Sequence, residues 1–310
     1  MYDIITFGGA VVDAFVETGM PEKNKQICVP IGTKLLVNKV WFATGGGGTN
    51  TAAAFAKLNL KTGFIGKLGE DANASLILED LKKQKITFLG SQSKEPTGFS
   101  VILDSAKNNR TILTYKGANE NIKFSDLNPN KLKTKWFYFS STIGETMNTQ
   151  TKLSKWAKQK GIKVAYNPSS YLTKKNPPGL KRLLKNVTAI ILNKEEASHL
   201  TKGDLFKGLH ALGPKTVCIT LGKKGNKVSD GKRILTSYPR KIKIKERTGA
   251  GDAFASGFVA GLIKYNNISK AIEMGSLNAE SVIQAPGAKN GLLSWKEMSK
   301  QLKNNKIKVL

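Results

Sequence analysis

The sequence predicts an α/β fold: a doubly wound, mainly parallel sheet flanked by helices. Six short runs of apolar and β-branched residues recur along the chain, and amphipathic segments of helical length lie between them. The 310 residues, of which 40% are hydrophobic, are enough to bury one large core. Because neither a Pro- or Ser-rich linker nor an internal repeat interrupts this pattern, we expect a single domain over residues 1–310.

The predicted elements alternate in the order that parallel βαβ units require. The six strands are predicted at residues 4–7, 62–65, 136–139, 163–166, 189–192 and 216–220. Helices are predicted at residues 73–83, 149–160, 194–200, 204–212, 250–264, 269–282 and 294–302. The last third of the chain shows these helices and little strand signal, so we expect its helices to pack on the sheet.

Two regions, at about 11–42 and 97–116, break this rhythm. In the second, alternating apolar and polar segments at 99–103 and 111–115 flank a turn-like stretch of residues 107–109. Such alternation indicates strands with one face in water. We therefore expect a small antiparallel β lid, a kind of element that commonly closes over a substrate.

The charge of the chain narrows the classes of partner. Fifty Lys and Arg against 22 Asp and Glu give a net charge of +28, which attracts anions of many kinds, phosphorylated metabolites among them. The Lys are dispersed, however, and Arg, which nucleic-acid readers favour, is scarce. The five arginines are Arg110, Arg182, Arg233, Arg240 and Arg247. Specific nucleic-acid binding is therefore disfavoured.

Cysteine and histidine usage excludes a structural zinc site. Cys28 and Cys218 lie far apart in apolar, β-like stretches, and His199 and His210 form no cluster with them. We expect two buried free thiols, as suits a reducing compartment. No apolar run reaches the roughly eighteen residues of a membrane span, and the N-terminus has no basic leader, so a cytoplasmic protein with no membrane partner is expected.

The most informative stretch is residues 248–258, where small residues lead directly into a helix pattern. The backbone N–H groups of Gly249, Ala250 and Gly251 would point outward at that helix start and form an anion hole for a phosphoryl group in transfer. Asp252 follows in the first turn, where its carboxylate is stabilised and can accept a proton from a hydroxyl.

A second glycine run, residues 45–48, precedes an Ala-rich helix pattern. Gly46 and Gly47 would let the backbone approach a ligand closely, and Asn50 offers a donor and an acceptor to sugar hydroxyls. The run lacks the Lys and Ser/Thr of a Walker A loop, which excludes that phosphate-binding mechanism. Asp13, after the first strand, stands where open α/β sheets place ligands.

Together these motifs resemble those of the ribokinase-like, PfkB-type carbohydrate kinases, over nearly the whole chain. The resemblance implies an ATP-dependent kinase in which Asp252 is the catalytic base and in which Asp13, Gly46, Gly47 and Asn50 bind the substrate. Asn193 and Glu196 match a motif that places Mg²⁺ and phosphate, although the same residues would also cap a helix. The remaining matches, Thr220, Gly222 and Gly225 in a phosphate loop and Asn278 beside the adenine, are expected to bind ATP.

The chain departs from the family pattern just before the anion hole, where Glu246, Arg247 and Thr248 replace an Asp and two small hydroxyl residues. The base is intact, but the departure leaves open whether the monovalent-cation site that the resemblance implies, for K⁺, exists. Two further residues are candidates for the substrate pocket. Arg110, on the lid, would bind an anionic group of the substrate, and Glu145 would line the sugar pocket.

The predicted reaction is phosphorylation of a primary alcohol of a sugar. A nucleoside kinase acting on a ribose 5′-hydroxyl is the alternative, since the same residues would serve it. A more remote alternative is a non-catalytic scaffold that binds polyanions through its basic surface. The resemblance also leaves a homodimer through the lid open.

Overall fold

The protein is represented by a computed structural model that describes residues 1–24, 26–29, 31–107, 109–246, 248–285, 287–304 and 307–310. The strands are β1 (Tyr2–Phe7), β2 (Val11–Glu17), β3 (Glu22–Lys23), β4 (Gln26–Ile27), β5 (Lys39–Gly45), β6 (Thr62–Ile65), β7 (Lys67–Gly69), β8 (Thr87–Phe88), β9 (Ser91–Ser93), β10 (Gly98–Asp104), β11 (Arg110–Tyr115), β12 (Thr134–Ser140), β13 (Lys163–Asn167), β14 (Ala189–Asn193), β15 (Thr216–Thr220), β16 (Asn226–Ser229), β17 (Ile234–Tyr238) and β18 (Lys308–Val309). The helices are α1 (Gly47–Lys57), α2 (Ala72–Lys83), α3 (Gly144–Gln159), α4 (Ser170–Lys175), α5 (Pro178–Leu184), α6 (Lys194–Leu200), α7 (Leu205–Ala211), α8 (Ala250–Tyr265), α9 (Ile268–Val282) and α10 (Trp295–Asn304). Short 3-10 helices span Gly117–Glu120, Phe124–Asp126, Pro129–Lys131 and Gly222–Lys224.

The large sheet has the strand order β18-β17-β16-β15-β14-β13-β12-β1-β6-β8. From β15 to β8 neighbouring strands are parallel, and the three strands beyond β15 are antiparallel. The chain builds outward from β1 in one direction through β6 and in the other through β12. This is the doubly wound, mainly parallel arrangement that the sequence predicts, and the fold class is confirmed.

Helices cover both faces of this sheet, because successive side chains of its strands point in opposite directions. Ile5 and Phe7 of β1 pack into a cluster with the apolar residues of α3, α5 and α7. Ile4, directly before Ile5 and on the opposite face, packs into a second cluster with α1, α8 and α9. The continuous apolar runs that predicted the strands are thus runs buried on both sides.

A second, four-stranded sheet, here called the lid, has the order β11-β10-β2-β5. The expectation of a purely antiparallel lid is wrong, because its central pair, β10 and β2, is parallel. Its strands lie within the two predicted lid regions, except that β5 extends just past residue 42. Asn108 of the predicted turn lies outside the described residues. Burial alternates residue by residue along β10, as the sequence pattern predicts, whereas β11 is exposed along nearly its whole length. The lid therefore has one covered face and an exposed edge.

Two polar clusters fix the base of the lid. The side chain of Asn119 accepts a hydrogen bond from the backbone N–H of Ala10 at 2.9 Å and donates one to the Ala10 carbonyl at 2.8 Å. Asp71, which caps α2, accepts hydrogen bonds from the backbone N–H and the hydroxyl of Thr97, each at 2.7 Å. These contacts anchor β2 and β10 where they leave the body of the protein.

Some expectations for the elements are wrong. The last third of the chain does form strands, β16, β17 and β18, which are short, partly exposed strands at one end of the sheet with a weak apolar signal. Helix α3 begins at Gly144, five residues before the prediction, because its first turn is polar. Cys218 is buried in β15 as expected, but Cys28 is exposed, since it lies in the extended segment between lid strands. Among the described helices, none has both the length and the apolar character that crossing a membrane requires.

Candidate active site

The cleft lies where the strand order reverses, beside β1 and β12. In open α/β sheets the crevice outside the carboxyl ends of such strands is the usual ligand site. The first turn of α1 approaches this point so closely that a Cβ on Gly47 would lie 3.0 Å from the Cβ of Ser140, the last residue of β12. The glycine run of the sequence is therefore at the cleft.

The start of α8 forms the opposite wall. Gly249, the residue that caps this helix, has a φ of 78°, and a Cβ there would lie 2.6 Å from the Cα of Ala288. Only glycine satisfies both conditions. By contrast, a Cβ on Gly251 would meet nothing within 4 Å, so this turn of the helix faces open space. The free N–H groups of the first turn are consequently available to an anion.

Asp252 projects from this first turn into the cleft, where it keeps partial exposure. Its Oδ2 atom accepts a hydrogen bond of 3.2 Å from Nδ2 of Asn50. Burial raises the pKa of Asp252 to about 6, and the Asn50 hydrogen bond, which favours the ionised form, opposes that rise. At neutral pH the carboxylate is therefore ionised, and it is a stronger base than an exposed Asp.

Asn50 bridges the two walls. It lies in the first turn of α1, behind Gly46, which has a φ of 98° and lies so near β2 that a Cβ would be 2.5 Å from the Gly9 carbonyl. While Nδ2 of Asn50 is bonded to Asp252, its Oδ1 atom is buried and has no partner within the described part of the chain. This oxygen can accept a hydrogen bond from a ligand hydroxyl.

Asp13 supplies a second carboxylate from the lid. It lies above the glycine run, since a Cβ on Gly45 would be 2.1 Å from its Oδ2 atom. Burial raises the pKa of Asp13, and a hydrogen bond from Ser100, the residue opposite it on β10, and the charge of Lys289 oppose the rise. Thr114 of β11 continues the row, 3.4 Å from the Ser100 hydroxyl. The lid thus presents a row of polar side chains suited to several hydroxyl groups.

A cavity of about 590 Å³ adjoins Asp252 on the sheet side. Its lining includes Gly47, Asn193, Glu196, Thr220, Gly251 and Asp252. Glu196 and Asn193 form a capping box: each side chain accepts a hydrogen bond from the backbone N–H of the other residue, at 2.8 and 2.9 Å. Burial raises the pKa of Glu196, and hydrogen bonds from Asn193 and Ser170 oppose it. These two residues therefore cap helix α6, and the Glu196 carboxylate also borders the cavity.

A second cavity of about 810 Å³ lies on the other side of the α8 terminus. Its lining includes Thr220, Gly222, Ala250, Gly251, Phe254 and Ile283. Thr220 and Gly251 border both cavities, so the two meet at the start of α8. A partly buried ion pair of 2.6 Å between Arg240 and Glu280 fixes a segment that lines the second cavity. The volume and the largely apolar wall suit an aromatic ligand such as a nucleotide base.

The comparisons with known proteins agree with this geometry. The model of the family described as "pfkB family carbohydrate kinase" matches residues 19–295. The chain belongs to the pfkB family of carbohydrate kinases. It is 26% identical over 246 residues to an uncharacterized sugar kinase of Archaeoglobus fulgidus, covering 76% of this chain and 97% of the relative. It is 27% identical over 320 residues to the ribokinase of Arabidopsis thaliana, covering 97% of this chain and 81% of the relative.

Nucleoside kinases and solved structures are also similar to this kinase. It is 25% identical over 293 residues to the nucleoside kinase of Methanocaldococcus jannaschii, covering 93% of this chain and 92% of the relative. The structure of Arabidopsis thaliana ribokinase complexed with ribose and ATP superposes with a TM-score of 0.83 at 23% identity, covering 97% of this chain and 99% of that one. The last likeness shows the ribokinase fold.

Two candidate residues of the kinase are engaged elsewhere. Arg110, expected to read an anionic substrate, is bonded to Asp104 at 2.9 Å and to Glu246. Glu145 lies in the first turn of α3, accepts a hydrogen bond of 3.1 Å from Asn148, and is not among the described residues that line the two cavities. The structure therefore does not bring either of them to Asp252, and the role of Glu145 stays a prediction.

For two nucleotide candidates the structure shows other contacts. Asn278 is fully buried, and its amide donates to the Ala253 carbonyl at 2.8 Å and accepts from the Leu293 N–H at 3.2 Å, so it joins α8 to the segment after α9. Its contact with the adenine stays a prediction. Gly225 is packed behind the phosphate loop, where a Cβ would lie 1.9 Å from the Ser237 carbonyl. Gly225 thus shapes the loop from behind.

Sequence reasoning missed several residues of the site. Ser100 could have been found, since the alternation of β10 places it on the same face as Asp13 once the strands are paired. Asn119 lies in a short polar turn, and nothing local indicates that it bonds to Ala10, 109 residues away. Glu246 was noticed as a departure from the family pattern, but its ion pair with Arg110 spans 136 residues and has no local signature.

Proposed function

We propose that this chain transfers the γ-phosphoryl group of ATP to the hydroxymethyl group of a neutral sugar, with Asp252 as the base. The observation that carries the proposal is the position of Asp252, at an anion-binding helix start where two cavities meet. The larger cavity would take the base of ATP, and its phosphates would extend along Gly251 toward Asp252. The sugar would lie under the lid, between Asn50 and Asp13.

In the proposed reaction, Asp252 accepts the proton of the sugar hydroxyl while that oxygen attacks the γ-phosphorus. A new O–P bond forms, the bond between the γ-phosphorus and the bridging oxygen breaks, and ADP leaves with the electron pair. The N–H groups of Gly249, Ala250 and Gly251 offset the charge on the transferred group. Asn50 holds Asp252 in place and, through Oδ1, orients the acceptor. Closure of the lid excludes water, which would otherwise compete as acceptor.

Magnesium fits the site only as a sparsely coordinated ion. In the described part of the chain, no three His, Cys, Asp or Glu side chains converge on one point. Glu196, with Asn193, would hold Mg²⁺ through water at the edge of the phosphate cavity. When bound, Mg²⁺ offsets the charge of the ATP phosphates.

Potassium does not fit the side chain of Glu246. One oxygen of this carboxylate is bonded to Arg110 and the other accepts a 2.9 Å hydrogen bond from the Gly287 N–H. A guanidinium already beside the carboxylate repels a second cation and occupies its lone pairs. We therefore propose that activity does not require K⁺.

The charges around the acceptor support a neutral sugar. Asp13 and Asp252 would both repel an anionic acceptor. The nearest cations are neutralised, because Arg110 is paired with Asp104 and Glu246. Lys289 is paired with Asp80 at 2.7 Å.

A nucleoside is the second candidate acceptor. Phe15 and Trp41 stack on the lid, with ring centroids 5.1 Å apart, and Phe15 is two residues along the strand from Asp13 on the same face. These rings could border a base attached to the ribose. A homodimer through the lid and a cytoplasmic location stay predictions; the lid exposes Phe42, Leu113 and Tyr115 for such a contact.

The test is formation of phosphorylated product from ATP and Mg²⁺ over a panel of acceptors. The panel contains ribose, fructose, 2-keto-3-deoxygluconate, hexose monophosphates, adenosine, inosine and cytidine. We expect one neutral acceptor to dominate and Asp252→Asn to lower its turnover by about 10²–10⁴-fold. Asp230→Asn, a change of the same chemistry at a distant turn, is the matched control and should keep full turnover.

Four outcomes would overturn parts of the proposal. Preference for a hexose monophosphate or for 2-keto-3-deoxygluconate, which are anions, would contradict the neutral acceptor, and preference for adenosine, inosine or cytidine would favour the nucleoside kinase. Undiminished turnover in Asp252→Asn would contradict the base. No product with any acceptor, together with salt-sensitive binding of DNA or RNA, would favour the polyanion-binding scaffold.

A further inference from the structure

Arg110 connects the lid to the loop that precedes the anion hole. It is the first residue of β11, and its Nε atom is held at 2.9 Å by Asp104, its neighbour across the lid sheet. From there its Nη1 atom reaches Glu246 and, at 3.2 Å, the hydroxyl of Thr248. The guanidinium also lies over the ring of Phe15, 5.7 Å from its centroid. Arg110 is therefore oriented by the lid and directed out of it.

Glu246 joins three segments of the chain at one carboxylate. Oε1 is bonded to Arg110 of the lid, and Oε2 accepts the backbone N–H of Gly287. Thr248 follows Glu246 by two residues and lies directly before Gly249. The tight contact of Gly249 with Ala288 fixes the start of α8. A displacement of Glu246 would thus move the residues that lead into the anion hole.

The pair is partly enclosed and remains charged. The side chains of Arg110 and Glu246 are 25% and 14% exposed. Burial alone would raise the pKa of Glu246, but hydrogen bonds from Thr248, Gly287 and Arg110 hold it below its ordinary value. An ion pair with this enclosure and these extra hydrogen bonds is stronger than an exposed one, and its geometry is better defined.

The base of the lid is anchored separately. Asn119 and Thr97 fix the ends of the lid strands that lie nearest the body, while Arg110 stands at the opposite end of β10 and β11. A lid held in this way can pivot about its base. Its far end contacts the body through the Arg110–Glu246 pair.

We propose that Arg110 and Glu246 form a latch through which closure of the lid positions the anion hole. Both are positioning residues: they act on the acceptor side through the lid and on Gly249–Gly251 through Thr248 and the Gly287 loop. The inference rests on the proposed kinase function for its kinetic consequence. The latch gives a role to Glu246, where the sequence departs from the family pattern, and to Arg110, the one arginine of the lid strands.

The first test is a double-mutant cycle of Arg110→Ala and Glu246→Gln on the full chain. Each single variant should lower kcat by about 10–100-fold, because small displacements of catalytic groups have effects of this size. The KM for ATP does not test the latch, because Ala250 and Gly251, which the latch would position, also line the nucleotide cavity. The double variant should be no slower than the slower single variant, which shows that the two residues act as one unit. Arg233→Ala, which breaks an exposed Arg–Asp pair on a distant hairpin, is the matched control.

Two further measurements separate positioning from general stability. Arg110→Lys keeps the charge and should recover part of kcat, and added methylguanidinium should partly rescue Arg110→Ala. A residue that merely stabilises the fold would give neither rescue. Equal kcat in Arg110→Ala and Arg233→Ala, or additive losses in the double variant, would overturn the latch.

Hydrogen exchange tests the latch without any turnover. In Arg110→Ala, the amides of β10, β11 and the 248–251 segment should exchange faster than in the wild type, while those of β14 should not change. Unchanged exchange in 248–251 would overturn the proposed coupling. If the wild type phosphorylates no acceptor, the proposed function fails, and the exchange measurement still decides whether the lid and the loop are coupled.

Discussion

The central sheet and the lid contain strands of similar length in very different surroundings. In β14 four of the five residues are buried, and apolar clusters of two helical layers enclose them. In β11 five of the six residues are exposed. The central sheet is thus stabilised by burial over many residues, whereas a few polar contacts hold the lid.

This difference assigns different tasks to the two regions. Asp252, Gly249 and Gly251 project from a helix packed on the central sheet, which keeps their geometry fixed. Asp13 and Arg110 come from the lid, whose position depends on side chains such as Asn119. A single change can therefore alter chemistry in the first region or closure in the second without unfolding the protein.

The largest effect that would sharpen this comparison is expected at Gly249. Gly249→Ala must place a Cβ in a left-handed conformation and 2.6 Å from the Cα of Ala288. The start of α8 has to shift, and we expect kcat to fall by about 10²-fold. Gly231→Ala is the control, because its φ is also positive, at 86°, but the nearest atom to a Cβ is 4.0 Å away. Equal effects of the two changes on kcat would break the assignment of chemistry to this helix start.

Next in size is the effect of Asn119→Ala at the base of the lid. The change leaves the Ala10 N–H and carbonyl without partners in a buried place, at a cost of about 1–3 kcal/mol for an unsatisfied group. We expect faster hydrogen exchange in β2 and β10 and a higher KM for the acceptor, with KM for ATP unchanged. Asn130→Ala, at an exposed site, should change none of these. An increase in KM for ATP would contradict the separation of the two regions.

A smaller effect is expected on the stability of the protein when Asp252, the proposed base, is replaced. Because burial raises the pKa of Asp252 to about 6, above its unfolded value, the ionised carboxylate destabilises the folded state fully above that pH. The penalty shrinks as the pH falls below about 6 and is gone only below the ordinary Asp pKa of 3.8. Asp252→Asn removes the charge and should raise Tm by several degrees at pH 7. The gain should shrink at pH 5. A lower Tm for Asp252→Asn at pH 7 would show that the carboxylate stabilises the fold.

The smallest effect is expected for the monovalent cation. With Arg110 already paired to Glu246, replacing K⁺ by Na⁺ should leave kcat unchanged within error. Arg110→Ala releases the carboxylate, so the same comparison of K⁺ with Na⁺ in this variant is the control for access of the cation to Glu246. Strong activation of the wild type by K⁺ would contradict the reading of Glu246.

Most of the central sheet could be predicted because its strands are apolar on both faces. The runs at 62–65 and 216–220 match β6 and β15 to the residue. Strands β16, β17 and β18 could not be predicted in this way, since they contain polar and partly exposed residues instead of a continuous apolar run. Their existence depends on pairing with β15 and with each other.

The site was predictable where a motif is local and unpredictable where two distant segments meet. Glycines before a helix identified Gly249 and Gly47, and the first turns identified Asp252 and Asn50. The 3.2 Å contact between the last two joins residues 202 positions apart. In the same way, the sequence shows Arg110 as a lone charge on the lid, and only the fold places two carboxylates beside it.

The most direct test of the central claim is the pH dependence of kcat for the preferred acceptor. If Asp252 is the base, kcat should fall below about pH 6, as the carboxylate becomes protonated. Asn50→Ala loses the hydrogen bond that favours the ionised form of Asp252, so the fall in kcat should begin at a higher pH in this variant. A fall that begins at the same pH in Asn50→Ala, together with wild-type turnover in Asp252→Asn, would contradict the account.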